Sequence, residues 1–158
     1  AQKDFKTALQ MLENSVLEFG EDYRIYEEIG DIYLYEGKLS KAKKAVDYAL
    51  NINPDSATGN YLKGFILLSY SKIEDALKFL NRSNELMPNN AEVLRNIGWA
   101  YCMTGDNEKG ITILKRALNL SPQDPLITED LAMALIGIGK LQEGNSLLQT
   151  IGKIPIKI

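Results

Sequence analysis

From residue 23 onward, apolar side chains recur three and four places apart in segments of about 14 residues. That spacing puts them on one face of an α-helix. Short breaks separate the segments in pairs: EGK at 36–38, TGD at 104–106 and IGK at 138–140. A glycine in such a break supplies the left-handed backbone that ends one helix and turns the chain into an antiparallel partner. Pro54, Pro88 and Pro122 follow the second segment of each pair, where proline cannot continue a helix. The pattern predicts an all-α chain whose unit is helix, tight turn, helix, loop.

The unit repeats every 34 residues. Gly30, Gly64, Gly98 and Ala132 keep that step, as do Ala42, Ala76, Gly110 and Gly144, and the large apolar row Tyr33, Leu67, Tyr101 and Leu135. Small residues in both helices of a pair let the axes approach to near the short end of the usual ~8–10 Å. These rows resemble the tetratricopeptide repeat family, whose unit has a small residue in each helix, an aromatic between them and a proline at the end. The third unit, AEVLRNIGWAYCMTGDNEKGITILKRALNLSPQD, carries the resemblance most fully.

On this basis the chain divides into residues 1–22, the second helix of a partial leading unit with Phe5, Ala8, Leu9, Leu12 and Val16 on its apolar face, and four units at 23–56, 57–90, 91–124 and 125–158. The second unit departs from the family, with Asn60 and Lys63 at apolar places and Ser71 for the turn glycine, which leaves the rotation of its first helix open. The fourth ends in the apolar tail IGKIPIKI, its proline one place early at Pro155.

The resemblance implies a right-handed superhelical solenoid of antiparallel helix pairs, with the first helix of each unit lining a concave groove. One row into that groove is Asp31, Phe65, Trp99 and Met133; the row one turn earlier is Glu27, Tyr61, Arg95 and Glu129, and Met103 lies one turn later. The expected surface has an aromatic and methionine centre, an acidic N-terminal end at Glu27, Glu28 and Asp31, and an acidic C-terminal end at Glu129 and Asp130. Such a groove, about 30 Å long, suits a protein partner's peptide or helix carrying an apolar anchor beside Lys or Arg. Two places remain open for Trp99: the groove, or a seam against Thr128 or Ala132. The Lys, Asn and Arg clamp that some members use to hold a carboxylate is matched only by Asn96, which argues against that ligand. The half unit in front and the apolar tail behind also admit a structural role, self-association end to end as a homo-oligomer.

Composition narrows the function classes. The chain has 158 residues, no histidine and one cysteine, Cys102, so the commonest general base, most transition-metal sites and any internal disulfide are missing. Cys102 reads as a small hydrophobe. A net charge of −3 with interspersed signs gives no footprint for nucleic acid, and pentatricopeptide-type RNA readers differ in period and in their basic groove. The basic cluster Lys38, Lys41, Lys43 and Lys44 falls on a second helix and reads as a solvated convex face. Neighbouring acids such as Glu74 and Asp75 point about 100° apart on a helix and cannot flank one bond as a catalytic pair. The expectation is a non-enzymatic module without cofactor or metal. No apolar run reaches a membrane span, and the first residues resemble neither a signal peptide nor a translation start. Together with the unpaired cysteine, this favours a cytoplasmic setting.

Overall fold

A computed structural model describes residues 4–157. Residues 1–3 of the expected leading half unit and residue 158 of the tail lie outside the described residues. The described chain forms helices α1 (Phe5–Phe19), α2 (Tyr23–Tyr35), α3 (Leu39–Ile52), α4 (Ala57–Ser69), α5 (Ile73–Leu86), α6 (Ala91–Met103), α7 (Asn107–Leu120), α8 (Pro125–Gly137) and α9 (Leu141–Thr150).

The starts of alternate helices are built alike. Asp22, Ser56, Asn90 and Asp124 precede α2, α4, α6 and α8, and the side chain of each accepts a backbone N–H of the first turn. Those amides have no partner inside the helix, so the caps both satisfy them and set where the helix begins. The tight turns are equally regular. The amides of Lys38, Lys72, Asp106 and Lys140 donate back to the carbonyls of Tyr33, Leu67, Tyr101 and Leu135. This closure needs a left-handed residue just before the donor. Gly37, Gly105 and Gly139 supply it with φ of +72°, +90° and +85°, and Ser71 adopts the same conformation at +59°. The second unit therefore turns as the others do.

Within a pair the helices meet closely. A methyl group on Gly98 of α6 would stand 2.9 Å from the Gly110 carbonyl oxygen, and one on Gly110 of α7 would stand 2.6 Å from that of Gly98. Neither backbone can yield far, so both positions require a hydrogen. The α4 residues that depart from the family are absorbed without rotating the helix. Gly64 still packs on Leu80 and the Ala76 carbonyl, as Gly98 does on Leu114 and Gly110. Asn60 is buried and donates to the carbonyls of Pro54 and Ser56 at 2.9 and 2.8 Å. Lys63 pairs with Asp47 of α3 and lies 5.9 Å from the Phe79 ring centroid.

Consecutive helices pack along the whole chain. In addition α2 approaches α4, α4 approaches α6 and α6 approaches α8, whereas the backbones of α3, α5, α7 and α9 do not come as close to one another. The helices that remain in contact lie on the inside of the curve, so α2, α4, α6 and α8 form the concave layer. The core is a chain of seams rather than one centre, as in a solenoid. Leu80 of α5 meets Val93 and Ile97 of α6, and Ile111 and Leu114 of α7 meet Leu131 and Leu135 of α8.

At the ends, α1 packs on α2, with the Phe5 and Tyr35 rings 6.0 Å apart, yet buries none of its residues. The tail folds back on α9. Asn145 exchanges two 2.8 Å hydrogen bonds with the backbone of Ile156, and Lys153 reaches Glu129 at 2.6 Å. Among the described residues no helix is long and apolar enough to cross a membrane.

Candidate interaction groove

The concave layer carries three depressions in series. The first, about 530 Å³, lies between α2 and α4 and is lined by Asp31, Leu34, Tyr35, Tyr61, Phe65 and Glu92. The second, about 250 Å³, lies between α4 and α6, among Phe65, Leu68, Arg95, Asn96, Trp99 and Asp130. The third, about 360 Å³, lies between α6 and α8, where Trp99, Cys102, Met103, Glu129, Met133 and Gly137 meet. Phe65 is shared by the first two and Trp99 by the last two, so the depressions run together as one trough.

The groove row Asp31, Phe65, Trp99 and Met133 is thus brought to one surface, together with Tyr61, Arg95, Met103 and Glu129. Trp99 is 36% exposed and walls two depressions; its indole is not sealed in the seam with Thr128 and Ala132, which are themselves buried. The reason is the helical angle: Ile97, Gly98 and Ala100 turn inward against neighbouring helices and leave residue 99 on the inner edge of the solenoid.

Glu27 does not belong to this surface. The expected place on the acidic rim is corrected by its burial: it is only 7% exposed, and its carboxylate accepts a hydrogen bond from the Ser56 hydroxyl at the start of α4. Gly59, whose added methyl would lie 3.0 Å from that carboxylate, leaves it room. Burial pushes the Glu27 carboxyl above its ordinary range, partly offset by the Ser56 hydrogen bond.

The C-terminal end is not a free acidic patch either. Glu129 pairs with Lys153 at 2.6 Å and Asp130 with Arg95 at 2.6 Å. Arg95 is thereby held between α6 and α8 rather than offered to a ligand. At the N-terminal end, the Tyr61 hydroxyl donates to Glu92 Oε1 at 2.6 Å, and burial, then that carboxylate, pushes the phenol far above its usual range. Glu92, at one of the concave places where the carboxylate clamp would stand but not among the expected groove contacts, joins this surface. Its signal was there: it stands one helical turn before Arg95 on α6, and 31 residues after Tyr61, close to the repeat length that makes residues neighbours across the groove. Cys102 is half-buried against Gly110, and burial raises its thiol. Among the described residues no cluster of His, Cys, Asp and Glu is placed to hold a metal ion.

Sequence models described as "Tetratricopeptide repeat" match residues 23–56 and 67–129, together more than half of the chain. The chain belongs to the tetratricopeptide repeat family, and as a member it is a helical-repeat scaffold of the kind that binds other proteins. Among solved structures, MamA (41-end) from Desulfovibrio magneticus RS-1 is similar with a TM-score of 0.82 and 21% identity, covering 95% of this chain and 85% of that one. YrrB, described as a TPR protein with an unusual peptide-binding site, is similar with a TM-score of 0.73 and 20% identity, covering 94% of this chain and 73% of that one. At such identities the likeness is one of fold. Among curated proteins, BBSome complex member BBS4 of Bos taurus is 26% identical over 117 residues, which are 74% of this chain and 22% of that protein. The chain thus spans about a fifth of that relative's length.

Proposed function

We propose that this segment is a non-catalytic docking scaffold that receives a peptide or helix of a partner protein in its concave trough, a basic segment with an apolar anchor. The observation that carries the reading is the row Phe65, Trp99 and Met133, large apolar side chains left 38%, 36% and 49% exposed on the inner face and joined by one continuous trough. Grouped apolar exposure on a concave surface marks binding. The frame is already rigid through its caps and backbone crossings, so little ordering on this side opposes association. The likeness to YrrB, whose description names a peptide-binding site, supports the same use.

The test is affinity capture and titration of the captured partner with wild type beside Trp99→Ala and Phe65→Ala. Each change should weaken binding by about 2 kcal/mol or more and lower unfolding stability by about 1 kcal/mol or less. Stability losses larger than the binding losses would place both rings in the core and end the reading.

A second reading, self-association through the ends, is favoured by Leu17 and Phe19 of α1 at 86% and 79% exposed and by Ile154 of the tail at 86%.

A further inference from the structure

We propose that the trough reads its peptide at two points of opposite chemistry about six extended residues apart: a Lys or Arg side chain between α2 and α4, and a large apolar side chain between α6 and α8. This rests on the docking function proposed above and names what the ligand must carry, and where.

The ion pairs of the inner face supply the first half of the argument. Toward the C-terminal end the acids are neutralised from within the chain, Asp130 by Arg95 and Glu129 by Lys153. Toward the N-terminal end they are not. Among the described residues Asp31 has no cation at ion-pair distance, and Glu92 receives the Tyr61 hydroxyl, which positions its carboxylate without cancelling the charge. These two acids stand at the edge of the first depression, whose walls include Tyr61 and Phe65. A Lys or Arg stem can lie along those rings and bring its charge to the carboxylates, an arrangement strengthened by the ring faces.

The other end has the opposite character. Trp99, Met103 and Met133 line the third depression beside Glu129 and Asp130, whose charges are taken up by Lys153 and Arg95, and Gly137 adds no side chain. Two methionines give an adaptable apolar wall for an aromatic or long aliphatic residue. Between the two ends, the middle depression holds Arg95 already paired with Asp130, which leaves no unpaired carboxylate there for a second cation. The basic residue is therefore confined to one end, which sets the register. Adjacent inner helices are ~10 Å apart, so two steps separate the points by roughly 20 Å, or about six residues at ~3.3 Å each.

The test selects a phage-displayed random dodecapeptide library on the folded chain. Expected clones pair Lys or Arg with Trp, Phe, Leu or Met about five to seven places apart. A synthetic peptide of the leading clone should bind about fivefold more weakly to Asp31→Asn and to Glu92→Gln, with the loss shrinking at high salt. It should bind about thirtyfold more weakly to Trp99→Ala. Met133→Ala, altering an exposed residue, gives an independent check should the tryptophan variant fold poorly. Clones that need Trp99 and Met133 but carry no cation at a fixed distance overturn the two-point inference and leave the docking function standing. Clones indifferent to Trp99, Phe65 and Met133 alike, or a selection that yields none, overturn both.

Discussion

Glu27 shows how little a residue's type says about its role until its surroundings are known. Its charge and helical position suggested the groove rim; instead it lies under the start of α4 with Ser56 as its partner. Burial raises its folded pKa above the ordinary 4.5, so the protonated carboxyl is the form that suits the fold. The stability this gives is fully present below the unfolded value and is lost as pH rises through the folded one. Glu27→Gln keeps an oxygen for Ser56 without the charge. Thermal unfolding should therefore show the variant more stable than wild type at neutral pH, with the gap narrowing as pH falls toward the unfolded carboxyl's range. A gap that is constant with pH would mean that Glu27 is not strained by its charge. Trp99 is the converse case. The sequence left it between groove and seam, and the structure puts it on the inner edge, 36% exposed, as a wall of two depressions.

At the scale of elements, the helices and their turns were legible because the forces that set them are local. Periodic apolar positions, breaking glycines and exit prolines all act within a few residues of where they stand. The regular caps Asp22, Ser56, Asn90 and Asp124 belong to the same local grammar, though an apolar pattern alone does not point to polar residues at a 34-residue step. Ser71 was the uncertain place, and the Lys72 to Leu67 closure decided it by drawing the serine into the left-handed region at φ +59°. A side chain there costs on the order of 1–2 kcal/mol, while glycine adds unfolded-state entropy of up to about 1 kcal/mol. Ser71→Gly should accordingly stabilise by about 0.5–1 kcal/mol in urea unfolding. A destabilised variant would show that the serine side chain contributes more than its backbone conformation costs.

For the whole molecule the consequence is a polarity that the chain's modest net charge hides. Among the described residues, one end of the trough keeps acids with no cation at ion-pair distance while the acids at the other are paired within the chain beside apolar side chains, and the proposed register rests on that asymmetry. The outer ends raise a separate question. Stacking through Leu17, Phe19 and Ile154 predicts a sedimentation coefficient that climbs with concentration and falls back in a Leu17→Ser, Phe19→Ser double variant. A coefficient flat across concentrations removes the self-association reading, since exposed apolar ends of that kind gain only when they meet.

By itself the sequence determined the unit, its length and its small-residue crossings, because each depends on helical angle and on contacts that recur every 34 residues, while the inner row of Phe65, Trp99 and Met133 followed only from the family resemblance and left Trp99 open between groove and seam. Only the tertiary structure decided which charges remain available. Glu27 with Ser56, Tyr61 with Glu92, Arg95 with Asp130 and Glu129 with Lys153 are joined across 24 to 35 residues. Each pair is made by segments that meet only after the hairpins stack, and helical periodicity can put a charged side chain on a face without saying what will be waiting opposite it.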